Sequence, residues 1–421
     1  VRGDLVGRAL RLIDDGAADE RGVAGLAGRL HITERHLHRL FVAELGVGPL
    51  AVARTKRLLL AKQLLTETDL PVTDVAFASG FGSVRQFNAA MRETYGFTPS
   101  ELRATAGGPT RTATAATAAR AVRAGATATQ APTGTQEDEA RPSLAASPLR
   151  LRLHRREPYD VEGVFSFLTS RAIPGLETAT AESYSRAVPG GVITLTSRPG
   201  HIALDVAVDD TRQLARIVAR CRRLLDLDAD PGAIADALGQ TSLRPLVEAR
   251  PGLRVPGAFD GFELAVRAVV GQQISVAGAR TLLGRIVTRA GRPAGGESPE
   301  TPDLLFPSAE ELLEADLQRL GLTGRRVVTL KELATRVADG RLDLDGGQEP
   351  AEAVAALLDV PGIGPWTASY IALRALRDPD AWPTGDLVLT KRMAALGIPH
   401  DHIERWRPWR AYAALHLWSA S

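Results

Sequence analysis

Residues Leu358 to Tyr370 read LDVPGIGPWTASY, and a lone Asp386 follows about twenty residues later in WPTGDLVLTKR. A helix that runs into Pro361-Gly362-Ile363-Gly364 must turn sharply. The next helix begins at once, because Pro365 suits a first helical position and Trp366, Ala368, Tyr370 and Ile371 continue an apolar pattern. Two helices joined by so short a glycine turn form a hairpin whose second N-terminus presents unpaired N–H groups. Such an end attracts a phosphate without reading any base. Asp386 follows Gly385 and precedes an apolar helix, so spacing alone makes it an N-cap.

The hairpin, the trailing aspartate and a preceding FELAVRAVVGQQISVAGAR stretch at Phe262–Arg280 together resemble the helix-hairpin-helix DNA glycosylases. The resemblance implies that Asp386 is the catalytic carboxylate. An N-glycosidic bond to an alkylated purine already carries a cationic leaving group, so a general acid can be omitted and one carboxylate suffices. Asp386 would stabilise the cation that develops on the sugar and orient or deprotonate the attacking water. Trp366, Tyr370 and Trp418 match the base-pocket aromatics of the AlkA-type enzymes in this superfamily, where stacking and cation–π attraction contribute about 1 to 2 kcal/mol per face.

In related glycosylases that also cut the backbone, a lysine follows the hairpin. Here that position is Trp366, whose neutral indole cannot act as an amine nucleophile, so base release without lyase activity is expected. The family's intercalating leucine falls on Gln273 in Gly271-Gln272-Gln273, which makes Gln272 and Gln273 the candidate wedge and departs from the family pattern. The resemblance also assigns phosphate contacts to the N–H groups of Gly362, Gly364 and Trp366, with a hydroxyl from Thr367. It further implies a monovalent cation, Na or K, at the backbone carbonyls of Leu358, Val360 and Gly362; no other cofactor is expected.

Elements must position these groups. Leu149–Arg155, Gly191–Ser197 and Ile202–Val208 alternate apolar and polar residues in the manner of half-buried strands, with helical patterns at Val161–Arg171 and Thr211–Leu227. The sum is a small antiparallel sheet with helices on one face, and its order is similar to the TBP-like N-terminal α+β domain of the AlkA-type enzymes. From Asp230 the pattern is helical: Gly257–Gln273, Ser275–Ala290, Ala309–Ala315, Gly324–Ala338, Pro350–Leu358, Pro365–Leu376, Leu387–Leu396 and His402–Trp418. A cleft within that bundle, or against the sheet, would receive an extruded base.

Val1 to Arg103 reads as all helix. Val23–Leu30 turns through His31-Ile32-Thr33 into Glu34–Leu45, and Val72–Ser79 turns through Gly80-Phe81-Gly82 into Ser83–Tyr95, with Thr33 and Ser83 as natural N-caps. The segment DVAFASGFGSVRQFNAAMRETYGFTPSELR resembles the second half of the AraC-type DNA-binding domain, a double helix-turn-helix. Arg35, His36 and Arg39 would then face DNA from the first unit, and Ser83, Arg85, Gln86 and Asn88 from the second. His31, His36 and His38 lack a carboxylate or cysteine spaced to complete a metal site.

The expected organisation is multidomain: an all-α AraC-type domain over residues 1–103, a flexible Ala/Thr/Gly/Pro-rich linker over 104–147 with a transient helix around Ala115–Val122, an α+β domain over 148–228, and an all-α helix-hairpin-helix glycosylase bundle over 229–421. The 421 residues carry 51 Lys and Arg against 49 Asp and Glu, a formal charge of +2, which permits a nucleic-acid partner without arguing for one. Cys221 is the single cysteine, which excludes an intrachain disulfide framework or a cysteine zinc cage.

No apolar run is long enough to span a bilayer and no signal-peptide core is visible, so a cytoplasmic protein without a membrane partner is expected. The combination resembles Ada–AlkA fusions, in which a cysteine zinc domain precedes the AraC-type unit. That piece has no counterpart here, so methyl transfer through a zinc thiolate is not expected, and the chain could be a fragment. The implied function is monofunctional excision of alkylated bases of the 3-methyladenine and 7-methylguanine type from double-stranded DNA, with promoter DNA as a second partner. The alternative is an AraC-type regulator of the alkylation response whose glycosylase half is inactive.

Overall fold

The computed structural model describes residues 2–14, 16–105, 148–295 and 301–420. The expected linker and its transient helix lie, apart from the first two residues, outside the described residues. Seven helices come first: α1 (Arg2–Asp14), α2 (Ala17–Arg29), α3 (Glu34–Leu45), α4 (Pro49–Glu67), α5 (Val72–Ala78), α6 (Val84–Tyr95) and α7 (Pro99–Thr105). The Thr33 and Ser83 hydroxyls accept from the N–H groups of His36 and Gln86, which starts α3 and α6 where the sequence places them. The long α4 joins the two helix-turn-helix units.

The sheet has five strands, β1 (Leu149–His154), β2 (Glu177–Ala179), β3 (Ser183–Val188), β4 (Gly191–Arg198) and β5 (His201–Val208), in the order β1-β5-β4-β3-β2 and antiparallel throughout. Leu149, Leu151 and Leu153 face the core and the intervening arginines face out, as alternation requires. Two strands escape a hydrophobicity reading. β3 turns Tyr184, Arg186 and Val188 inward, and the buried Arg186 breaks the apolar pattern at the very position where a core residue is expected. Helices α8 (Val161–Arg171) and α9 (Leu214–Leu224) pack with this sheet into one apolar core.

The remaining helices are α10 (Pro231–Gly239), α11 (Arg244–Ala249), α12 (Gly261–Val270), α13 (Val276–Ala290), α14 (Ala309–Glu314), α15 (Gly324–Ala338), α16 (Pro350–Leu358), α17 (Pro365–Arg374), α18 (Leu387–Ala395) and α19 (Arg410–Ser419). Two expected helices are corrected. The one from Gly257 starts at Gly261, because Asp260 caps it through the N–H of Glu263. The one over His402–Trp418 is divided into a 3-10 segment, His400–Trp406, and α19, because Pro408 lacks the N–H that a continuous helix needs.

The helix-turn-helix part is docked on the rest. Gln63 on α4 donates to the carbonyl of Arg152 (2.8 Å), and the Arg152 N–H donates to Glu67 on the same helix (2.7 Å). α4 thereby covers the exposed edge of β1, which would otherwise offer unpaired strand groups to another chain. Arg8 donates to the carbonyl of Gly347, Arg29 pairs with Asp343 (2.9 Å), and Leu58, Leu65 and Phe87 share an apolar core with Leu151, Phe165 and Ile193. No helix among the described residues is long and apolar enough to cross a membrane.

Candidate active site

The hairpin is α16, Pro361-Gly362-Ile363-Gly364 and α17. Gly362 adopts φ +94, and a Cβ there would lie 2.2 Å from the Thr329 hydroxyl, so both backbone and packing demand glycine. Thr329 holds the turn by donating to the Pro361 carbonyl (2.7 Å). Gly364 is exposed at the N-cap of α17, and no side chain caps that end. The first-turn N–H groups of a helix lack intrahelical partners, so this end can receive an anion.

Asp386 is 9% exposed and carries out two tasks with two oxygens. Oδ1 accepts the N–H of Leu389 (2.8 Å), which caps α18; Oδ2 accepts the indole N–H of Trp366 (2.7 Å). The cap and the chemistry proposed from sequence are therefore compatible in one side chain. Gly385, at φ +81, turns the chain so that the carboxylate faces α17.

Trp366, Tyr370 and Trp418 line one cavity of about 490 Å³ together with Asp386, between the sheet domain and the helical bundle. The volume lies within the range of small-ligand sites. Trp366 and Tyr370, one turn apart on α17, stack with centroids 5.2 Å apart and planes 9° from parallel, forming a continuous aromatic wall.

Several wall residues were not singled out from sequence. Phe167 and Arg171 come from α8, and Arg374 lies one turn beyond Tyr370, donating to its hydroxyl at 2.8 Å. The repeat of four in Trp366, Tyr370 and Arg374 was a legible signal for the last. Arg186 and Arg267 are bound to Glu177 and Glu263 in a buried cluster at the cavity wall. Burial alone would raise the Glu263 carboxyl, but the Arg186 and Arg267 charges outweigh it and hold it well below the usual range. Burial would likewise raise the Tyr370 phenol, yet Arg374 and Arg171 bring it below its ordinary value.

Two assignments are corrected. Thr367 is 4% exposed and its hydroxyl accepts from Gln272 (3.0 Å), so it faces the interior and not a phosphate. Gln272 also donates to the Gly362 carbonyl (3.0 Å), which makes it a clip for the hairpin instead of a wedge. Gln273 is exposed at φ +58, a conformation unusual for a side chain of its size, and stands outward next to that clip. Of the carbonyls expected to hold a monovalent cation, Gly362 accepts from Gln272 and Val360 from the N–H of Ile363 (3.0 Å). Each keeps a second lone pair, so the set still fits a weakly bound cation.

In the front part, Arg35, Arg39, Arg85 and Gln86 are exposed on α3 and α6, while His36 and Asn88 are half-buried. His36 Nδ1 lies 2.8 Å from the Arg39 guanidinium, and the Ser83 hydroxyl caps α6.

Residues 26–105 match the model of a helix-turn-helix domain and residues 150–260 that of the AlkA N-terminal domain. The chain is 42% identical over 430 aligned positions to the probable bifunctional transcriptional activator/DNA repair enzyme AlkA of Mycobacterium tuberculosis, covering 100% of this chain and 81% of the relative. It is 34% identical over 279 positions to DNA-3-methyladenine glycosylase 2 of Escherichia coli, covering 63% of this chain and 95% of that protein. A 3-methyladenine DNA-glycosylase structure from Archaeoglobus fulgidus superposes with a TM-score of 0.54 at 20% identity over 64% of this chain and 96% of that one, a likeness of fold. With one relative matched along the whole chain and another along its sheet and bundle, the protein belongs to the AlkA family of DNA-repair glycosylases, in the form that carries an AraC-type helix-turn-helix domain.

Proposed function

We propose that the protein excises alkylated bases of the 3-methyladenine and 7-methylguanine type from double-stranded DNA. The observation that carries this reading is the Asp386 carboxylate held by the Trp366 indole at a cavity walled by Trp366, Tyr370 and Trp418. The extruded base would enter against these rings and the deoxyribose would remain beside Asp386. A carboxylate offers about four lone-pair sites and two are in use, so Asp386 can still face the sugar cation and accept a proton from the attacking water. Water adds to the sugar carbon as the base departs with the bonding electron pair.

Trp366 offers no amine, which supports hydrolysis without strand cleavage. The exposed N-terminus of α17 would bind a phosphate beside the flipped nucleotide, Gln273 would fill the vacated stack, and the carbonyls of Leu358, Val360 and Gly362 would hold a monovalent cation that adds positive charge for the backbone. The helix-turn-helix part would bind promoter DNA through Arg35, Arg39, Arg85 and Gln86, and a cytoplasmic location suits both partners.

Incubation with methylated duplex DNA and chromatography of the released bases tests this reading. Free 3-methyladenine and 7-methylguanine are expected, and Asp386→Asn should cut release to a small residual rate while retaining DNA binding. Absence of release above background by the native protein would overturn the enzyme reading in favour of a regulator alone.

A further inference from the structure

The helix-turn-helix part is docked away from the cavity. Docking runs through α1, α2, α4 and α5: α4 bonds to β1, α1 packs on α9, α5 packs on the 3-10 turn Thr211–Gln213, and Arg29 at the end of α2 pairs with Asp343. Two independent features fix where this contact lies relative to the site. β1 is one edge of the five-stranded sheet, whereas the cavity is lined by Glu177 of β2 and by Tyr184 and Arg186 of β3, at and next to the other edge. Four spacings of about 4.8 Å set the two edge strands roughly 19 Å apart. Asp343 and Gly347 lie just before the N-terminal end of α16, and the hairpin follows its C-terminal end. The nine residues of α16 span about 14 Å. No described residue of 2–105 lines the cavity.

The helices that carry the DNA-facing residues stay open in this arrangement. α3 buries Leu37, Leu40 and Phe41, and α6 buries Phe87, Ala90 and Met91. Arg35 and Arg39 on the first, and Arg85 and Gln86 on the second, remain exposed with the whole chain docked. Arg54 on α4 pairs with Glu93 on α6, which ties the second unit to the helix that grips β1. On the other side of the molecule Gly364 is exposed at the start of α17, and Trp366 and Asp386 face the cavity. Neither DNA-facing surface therefore covers the other. A duplex is stiff over about 150 base pairs, so one short duplex resists the bend needed to meet both.

We propose that the chain holds two separate duplex segments at once, one through α3 and α6 in its major groove and one at the hairpin and cavity, and so bridges DNA. The inference rests on the glycosylase reading and on DNA binding by the helix-turn-helix part. The second partner is a further stretch of double-stranded DNA, whose phosphates and base edges complement the exposed arginine-bearing faces of α3 and α6. A chain anchored by those faces keeps its cavity free to receive a flipped base from another segment. The anchor also raises the local concentration of that cavity around neighbouring DNA.

Capture on beads tests it. A short undamaged duplex is immobilised, and a short fluorescent duplex carrying 7-methylguanine is added with the whole chain at low salt. The fluorescent duplex should be retained only in the presence of protein, and 7-methylguanine should be released from it on the beads. Sedimentation of the same components in solution should find two duplexes on one chain. Replacing three arginines together, Arg35→Glu, Arg39→Glu and Arg85→Glu, should lower capture by about tenfold or more, because phosphate contacts carry non-specific affinity. The fluorescent duplex alone should still bind that variant. Should it fail to fold, the pair Arg35→Ala and Arg85→Ala is read in its place. Undiminished capture by the variant, a complex of two chains with two duplexes, or one duplex per chain would each overturn the inference. With 7-methylguanine still released, the inference alone falls; absence of release by the native protein overturns the glycosylase reading beneath it.

Discussion

Replacing Trp366 by phenylalanine removes one hydrogen bond while keeping an aromatic ring against Tyr370. The lost bond is the 2.7 Å contact from the indole N–H to Asp386 Oδ2. Hydrogen bonds to charged groups contribute about 1.5–3 kcal/mol. The other oxygen remains fixed by Leu389, so the carboxylate keeps its place on α18 but can rotate about that anchor. If the bond orients the carboxylate toward the sugar, its full value enters the barrier and the rate falls about 10- to 150-fold.

The assay is single-turnover release of 7-methylguanine, which separates chemistry from product release, with DNA affinity measured in parallel. Asp386→Asn supplies the control. Its amide can accept from only one of the two N–H donors, so it loses both the charge and the paired geometry. In the double variant Trp366→Phe should cost no further rate, because the indole acts through the carboxylate. A single Trp366→Phe variant within twofold of the native rate, or losses that multiply in the double variant, would refute the positioning argument.

Gly362→Ala should loosen the hairpin by roughly 1–3 kcal/mol from the left-handed backbone alone, with the Thr329 contact adding to it; weakened affinity for undamaged DNA, read by fluorescence anisotropy, is the expected result. Deleting residues 1–146 should spare base excision yet uncover the edge of β1, so the truncated protein should self-associate on size-exclusion chromatography more than the full chain does. Two titratable groups within the fold oppose each other in pH dependence. Burial and Arg250 hold His416 down at about 4, so stability from it is present above its ordinary value and lost as pH falls toward 4; burial pushes Asp226 up to about 6, so stability from it is present in acid and lost as pH rises from about 4 to 6. Each amounts to about 3 kcal/mol. Denaturant melts should find Asp226→Asn losing stability on acidification from pH 7 to 4 and His416→Gln gaining it, each relative to the native protein.

The features legible from residue order alone are local. Thr33 and Ser83 start their helices, Gly362 and Pro365 shape the hairpin, and the Leu/Arg alternation of β1 sets its two faces, because caps, positive φ and side-chain alternation act within a few residues. Asp386 as a cap was legible for the same reason. Which groups meet across long separations follows from how distant elements pack. That packing turned Gln272 onto Gly362 and Thr367, hid Arg186 inside β3 against Glu263, set Arg374 against the Tyr370 hydroxyl at the cavity, and laid α4 along β1. Such contacts depend on the packing of elements far apart in the chain, where a polar residue's pattern is the same whether it faces solvent or a buried partner.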